Sequence, residues 1–256
     1  MKAFLINLDK AKERLASCKI EFFKLGLNFE LIEAIDGKNL SLPNKNINSF
    51  FYMVKHGKKI NLNELGCYLS HLKALRRFIE CKEEFALICE DDIEFNEDLL
   101  QVVNKAIKSP IYFDLLRLSG SENKNKEKGL PIKLLSLVNN FSLSINLTYK
   151  PIAACYLVNK KAANKILNRI EVMHLPFDYA FDRDWILGIR SLCIYPSPVS
   201  LKNEFHLGSS YIKATKKYRL KNIIRIWTVV PYRLFNGFIR IVYKIFILLK
   251  IKILEI

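Results

Sequence analysis

Two rhythms of apolar residues run along the chain. Short, nearly continuous apolar stretches bounded by polar residues read as buried strands, and longer stretches with apolar side chains every three or four positions read as helices. KAFLIN, residues 2–7, is the first such strand; a helix follows from about Asp9 to Leu25 and stops at Gly26, and NFELIEA, residues 28–34, is the next strand. It leads into a turn at Asp36-Gly37, where glycine can take a positive φ. Strand, helix, strand at this spacing is a βαβ unit, so the first third predicts a parallel α/β sheet.

Residues 61–81, NLNELGCYLSHLKALRRFIEC, carry the clearest helical period. Leu65, Leu69, Leu72, Leu75 and Ile79 form the face that packs on the sheet, whereas Gly66, Ser70, Lys73 and Arg77 form a second stripe with His71 at its edge. A glycine inside a helix costs about 1 kcal/mol relative to alanine, so something must approach closely there, either a ligand or a neighbouring element. EFALICEDD then reads as a central strand with carboxylates at its end. A helix near Glu94 to Lys108, a strand FDLLRLS, a strand AACYLVN and a helix KKAANKILNRI follow. The polar run SENKNKEKG, residues 121–129, has no period and predicts a surface loop, and residues 121–150 as a whole read as loops. PFDYAFDRDWILGI is a turn-helix segment rich in acids, and a short strand with loops around Pro196 and Pro198 closes the globular part.

The tail from about Tyr218 is basic and aromatic, and its apolar runs are broken by Arg225, Arg233, Arg240, Lys244 and Lys250 well short of the ~20 residues needed to span a bilayer. Arg233, Arg240 and Lys244 share one helical face, while Phe235, Phe238, Ile239, Val242, Ile245, Phe246 and Leu249 fill the rest. Such a helix can lie in the headgroup region of an anionic membrane, or dock on the protein's own core or on a second copy. The pattern divides the chain into a globular domain, 1–212, and a basic amphipathic tail, 213–256.

Charge sharpens this division. The net charge is +16, and the tail from Lys213 onward contributes eleven basic residues against the single acid Glu255. Such a balance points to a polyanionic partner. The tail's bases sit among aliphatic residues and no nucleic-acid motif is present, which argues against RNA or DNA. Half of the residues are hydrophobic, which excludes a disordered chain. The six cysteines form no C-x-x-C pair and predict buried free thiols in a reducing cytosol, and the N-terminus, charged after eight residues, predicts no secretory signal.

ALICEDDIEF, residues 86–95, holds the candidate chemistry. Glu90, Asp91 and Asp92 can be a solvated turn, the acidic start of a helix, or a hard-cation site for Mg²⁺ or Mn²⁺. With no Walker loop and no G-x-G-x-x-G in the chain, a strand bringing carboxylates to the ligand-binding edge of a sheet suggests a diphosphate held through a metal, with Glu90-x-Asp92 as a D-x-D-like pair.

FLINLDKAKER at the start, EAIDG at 33–37, NELGCYLSHLKAL at 63–75, ALICEDDIEF, and AACYLVNKKAANKIL followed by PFDYAFDRDW resemble glycosyltransferase family 25, in order and over residues 2 to about 210. This is the bacterial lipooligosaccharide galactosyltransferase family, related to the collagen galactosyltransferase domain. The resemblance implies a GT-A-like mixed, mainly parallel sheet flanked by helices. It also implies a UDP-sugar donor, most often UDP-galactose, a divalent metal, usually Mn²⁺, and transfer with inversion. Carried onto this sequence, Asn7 and Arg14 would lie near the uridine or phosphates, Asp36 and Gly37 would shape the nucleotide pocket, and Gly66, Ser70 and His71 would approach the donor. Asp92 would bind the metal, with Glu90 and Asp91 contacting ribose, metal waters or acceptor, and Glu90 is the other metal candidate. His206, in NEFHLGSS, stands where some GT-A enzymes complete the metal shell, although a lone histidine is more often a surface or packing residue. Asp178 and Asp182 are the candidate catalytic bases, favoured over Asp184, and Trp185 and Tyr179 can stack on a sugar or pack in the core.

The partners expected are therefore a UDP-hexose, a glycolipid oligosaccharide acceptor and the anionic inner leaflet, and the expected place is the cytoplasmic face of a bacterial inner membrane. The rival expectation is a basic peripheral-membrane or polyanion-binding protein without catalysis.

Overall fold

A computed structural model describes residues 1–120, 130–148, 152–202 and 221–255. Its elements are β1 (Lys2–Asn7), α1 (Lys12–Lys24), β2 (Phe29–Glu33), a 3₁₀ turn (Gly37–Asn39), α2 (Ser49–His56), α3 (Leu62–Ile79), β3 (Phe85–Cys89), β4 (Ile93–Phe95), α4 (Leu99–Ile107) and β5 (Leu115–Arg117). Beyond these lie β6 (Pro131–Ser136), β7 (Ser142–Asn146), β8 (Cys155–Asn159), α5 (Lys160–Arg169), α6 (Phe177–Phe181), α7 (Asp184–Leu187), β9 (Ser191–Tyr195), β10 (Val199–Leu201), α8 (Asn222–Trp227) and α9 (Val229–Leu254).

Eight strands form one mixed sheet in the order β2-β1-β3-β8-β5-β9-β7-β6. Strands β7 and β8 run against the other six, so the sheet is mainly parallel in direction while its centre is antiparallel. Because side chains alternate across a strand, Phe4 and Ile6 enter one apolar layer with α3 and α5, whereas Ala3 and Leu5 enter the opposite layer with α1 and α4. Ala86 and Ile88 of β3 divide from Leu87 and Cys89 in the same way. Burial on both faces is why these strands read as unbroken apolar runs.

Several elements depart from the sequence expectation. The helix expected from Glu94 begins at Leu99, because Ile93–Phe95 pairs antiparallel with Val199–Leu201. Residues 131–146, expected to be loop, form the β6–β7 hairpin, and every residue of β7 is buried. Gly26 does adopt a positive φ of 60° at the end of α1. Gly37 does not, and its need is for space: a Cβ there would lie 2.4 Å from the Leu62 carbonyl oxygen. All six cysteines are free, with Cys89 and Cys155 facing each other across β3 and β8 at 3.4 Å between sulfurs.

The C-terminal helix docks on the protein's own core, one of the alternatives its pattern allowed. Val229, Ile247 and Ile251 of α9 are buried against the domain. Lys244, only 6% exposed, pairs with Asp184, which is 1% exposed, and also donates to the Ser191 carbonyl at 2.9 Å. Arg240 pairs with Asp182 at 3.0 Å, and Glu255 receives Arg190 at 2.5 Å. Two of the three cations expected to face lipid headgroups thus turn inward to the acids of the FDRD segment. The outward face keeps Leu234, Phe235, Phe238, Val242, Phe246 and Leu249 exposed. Among the described residues no helix is long and apolar enough to cross a membrane.

Removing one partner of a buried pair leaves an uncompensated charge, which typically costs about 3–5 kcal/mol. Lys244→Ala should therefore lower unfolding free energy by about that much in urea titration, and the double variant Lys244→Met/Asp184→Leu should recover most of it. A single variant as stable as the parent would show that α9 is not anchored through this pair.

Candidate active site

The three acids follow β3 directly, and each meets a different element. β1 lies parallel to β3 with Leu5 opposite Cys89, which brings Asn7 and the start of α1 beside the acidic turn. The Asn7 side-chain amide donates to Asp91 at 2.7 Å and to the Ala11 carbonyl at 3.2 Å. Arg14 donates to the other Asp91 oxygen at 2.9 Å and lies 3.9 Å from Asp92. Burial raises the Asp91 carboxyl above the usual range even against the opposing effect of Arg14 and Asn7.

Glu90 is held from the helix side. His71 places Nε2 at 3.0 Å from the Glu90 carboxylate and Nδ1 at 3.2 Å from the Tyr156 hydroxyl. Its ring stacks on Phe177 with centroids 4.0 Å apart and planes 2° from parallel. One histidine therefore joins the acidic turn, the central strand β8 and the PFDY segment.

Asp92 is the least satisfied of the three. Its Oδ1 is buried and has no hydrogen-bond partner among the described residues. Burial, then the charges of Glu90 and Asp91, push its carboxyl up to about 7. Close by, ligand atoms of Cys67, His71 and Glu90 lie within 4.8 Å of one another. Cys67 is poorly suited to such a role, since burial and the surrounding acids keep its thiol protonated.

These side chains sit where two lobes of a cleft meet. One lobe is lined by Arg14, Ile35, Asp36, Gly37, Ser70 and Asp91. The other is lined by Lys58, Glu64, Ala154, Phe177, Asp178 and Tyr179, and both share Cys67, His71, Glu90 and Asp92. The first lobe's wall is a joint between α3 and the loop after β2. Ser70 accepts from the Ile35 amide at 2.8 Å and donates to the Gly66 carbonyl at 2.7 Å. A Cβ at Gly66 would lie 2.4 Å from the Ile35 carbonyl oxygen, so what approaches that glycine is backbone. Further along the stripe, Lys73 donates to the Glu33 carbonyl at 2.8 Å and Arg77 pairs with Glu30, which braces β2. Asp36 caps the 3₁₀ turn through the Lys38 amide at 3.0 Å and pairs with Lys10, which holds its carboxyl below the usual range.

The acids of the later segment separate clearly. Asp178 lines the second lobe, and burial raises its carboxyl to about 7. Asp182 lies instead between Arg117 at 3.3 Å and Arg240 at 3.0 Å, and Asp184 is tied to Lys244. Neither lines the cleft, so Asp182 has a structural partner set in place of access to a substrate. Tyr179 faces the cleft, whereas Trp185 lies under Arg240 at 5.4 Å from ring centroid to guanidinium. His206 falls outside the described residues. Tyr156, Phe177 and Glu64, which Tyr52 holds by a hydrogen bond, were not anticipated as parts of the site, although Glu64, Tyr156 and Phe177 stand in the sequence blocks NELGCYLSHLKAL, AACYLVN and PFDYAF.

The arrangement is a cleft at strand ends, acidic at its centre, with a lobe lined by Arg14, Asp36, Ser70 and close-packed backbone on one side and a carboxyl of raised pKa on the other. A cleft outside the ends of sheet strands is where open α/β folds bind their ligands. The sequence signature of glycosyltransferase family 25, the LPS biosynthesis protein family, matches residues 1–181, and the chain belongs to that family.

A glycosyltransferase 25 family member of Drosophila pseudoobscura pseudoobscura is 24% identical over 241 residues, covering 86% of this chain and 37% of its own length. Procollagen galactosyltransferase 1-B of Xenopus laevis is 26% identical over 176 residues, covering 65% and 28% respectively. This chain thus spans about a third of the length of those relatives. Among solved structures, S. aureus TarS 1–349 aligns at a TM-score of 0.47 and 15% identity over 79% of this chain and 60% of that one.

Proposed function

We propose that the protein transfers a hexose, galactose first, from a UDP-sugar to a hydroxyl of a lipooligosaccharide or lipopolysaccharide core, with inversion to a β-linked product. The observation that carries the reading is the cleft with two lobes meeting at Glu90 and Asp92, within a family of nucleotide-sugar enzymes. The names of the procollagen galactosyltransferase relatives support galactose, and the family's description supports the lipopolysaccharide acceptor.

The donor occupies the lobe of Arg14, Asp36, Gly37 and Ser70, with Asn7 and Arg14 acting through Asp91, and with Gly66 acting through the loop it packs against. The second lobe takes the acceptor. There Asp178 accepts the proton of the attacking hydroxyl as that oxygen approaches the anomeric carbon on the face opposite the diphosphate. His71 is a positioning residue that orients Glu90 and, by stacking on Phe177, sets the wall that carries Asp178. The residues fit a hard divalent cation, because Asp92 brings a buried oxygen without a partner into a cluster of three carboxylates and a single arginine. Asp92 and Glu90 would hold Mn²⁺ or Mg²⁺, which when bound neutralises the leaving diphosphate as a Lewis acid.

The outward face of α9 supports a place on a membrane. From Leu234 to Ile253 its apolar side chains form a stripe roughly 29 Å long at 1.5 Å per residue, with Phe238 67% exposed and Trp227 of α8 78% exposed. Lys250 and Lys252 are exposed along the same helix, and Glu255, just past its end, is neutralised by Arg190. Aromatic and aliphatic residues flanked by bases suit the anionic surface of a bacterial inner membrane's cytoplasmic face.

UDP with Mn²⁺ should raise the thermal midpoint of the full chain, and UDP-galactose should be the best donor in a mass-spectrometric panel; no shift with any UDP compound would remove the transferase reading and favour a non-catalytic polyanion-binding protein. Asp178 serves as base when unprotonated, so turnover should rise as pH increases through about 7. Asp178→Asn should lose about 10²–10⁴-fold in kcat and lose that limb; an unchanged profile would assign the proton to another group. In flotation, Phe238→Glu/Phe246→Glu should release the protein from phosphatidylglycerol vesicles, and continued binding would show that another surface docks.

A further inference from the structure

Under α9 lies a third pocket of about 200 Å³ that the donor and acceptor lobes do not include. It is lined by Lys55 of α2, Arg183 between α6 and α7, and Tyr232, Arg233, Asn236 and Arg240 of α9, and it shares Tyr179 with the acceptor lobe. Among the described residues no carboxylate lines it. Arg240 is matched by Asp182, but among the described residues Lys55, Arg183 and Arg233 have no carboxylate partner.

The cations are held by aromatic faces instead. Lys55 stands over Phe51 at 4.5 Å, Arg183 over Tyr232 at 5.6 Å and Arg233 over Tyr179 at 5.8 Å from the ring centroids. Arg233 also donates to the His56 carbonyl at 3.3 Å. Stacking of this kind fixes a guanidinium in place while leaving edge N–H donors for an oxyanion. The surroundings respond to the concentrated charge. Burial, then Lys58, Arg233 and Arg225, push His56 down to about 3, and burial with Lys55 and Arg183 also lowers His174.

We propose that this pocket is an anion subsite for the acceptor, binding a phosphate ester or carboxylate carried by the glycan and so fixing which hydroxyl reaches Asp178. The inference rests on the acceptor-lobe assignment made above. Its position gives the reason: Tyr179 is the wall between the two spaces and the next residue after Asp178. A sugar lying over Tyr179 would place a neighbouring anionic substituent among Lys55, Arg183 and Arg233 while its reacting hydroxyl stays in the lobe of Asp178. The subsite also gives α9 a part in specificity, because four of the lining side chains come from that helix.

Calorimetric titration of the full chain with a hexose 6-phosphate, a hexuronate and the neutral hexose, each with and without UDP, tests the assignment. Both anions should bind at least tenfold more tightly than the neutral sugar, unimpeded by UDP. Arg183→Gln and Lys55→Gln should each remove most of that preference without weakening UDP, and Arg183→Lys should retain part of it. Lys55 is on α2, remote in the chain from Arg183, and tests the pocket independently if the arginine variant folds poorly. Equal binding of charged and neutral sugars, or anion binding that UDP displaces and the variants leave intact, would overturn the subsite. If the variants instead weaken only phosphatidylglycerol vesicle binding, the anion is a lipid headgroup and the acceptor assignment fails. Loss of UDP binding by the parent chain would sink the transferase reading separately, since the titrations without UDP still report on the pocket.

Discussion

Three consecutive carboxylates stand at the end of a strand buried on both faces, and the elements around them are arranged by how that charge is met. Asn7 and Arg14 take Asp91 from the side of β1 and α1, and His71 takes Glu90 from α3. Asp92 keeps a buried oxygen without a partner. If all three were neutralised by protein, the site would have no electrostatic demand for a ligand. If none were, the turn would carry a repulsion that the native state could not hold against its small net stability.

The same logic of buried charge links the site to the far end of the chain. Phe177, Asp178, Asp182 and Asp184 lie in one short segment, yet each has a separate duty. Phe177 stacks on His71, Asp178 faces the cleft, and Asp182 and Asp184 hold α9 through Arg240 and Lys244. A helix fixed in this way is part of the site's support, because movement of α9 would pull on residues adjacent to Asp178. With two of its bases paired on the protein side, its outward face is an exposed apolar stripe.

Much of this was readable from local pattern. β1, α1, β2, α3, β3, β8 and α5 follow from hydrophobic period and from stops such as Gly26, and the family blocks follow from their order. What escaped was whatever depends on pairing at long range. The antiparallel direction of β8, the pairing of Ile93–Phe95 with Val199–Leu201 and the β6–β7 hairpin leave no distinct local signal, since a buried strand has the same composition whichever way its neighbour runs.

The sequence by itself determined six of the sheet's strands, β1, β2, β3, β5, β8 and β9, the second stripe of α3, the acidic turn at its ligand-binding edge and the excess of positive charge at the C-terminal end. Those are properties of neighbours along the chain, fixed by periods of two and 3.6 residues. Only the tertiary structure decided which charge faces which. Arg14 reaches Asp91 across 77 positions and Lys244 reaches Asp184 across 60. Asp182 and Asp178, four residues apart, end in an ion-pair network and an open cleft respectively. The energy of an ion depends on distance and on the dielectric around it, and both are set by how the folded elements pack.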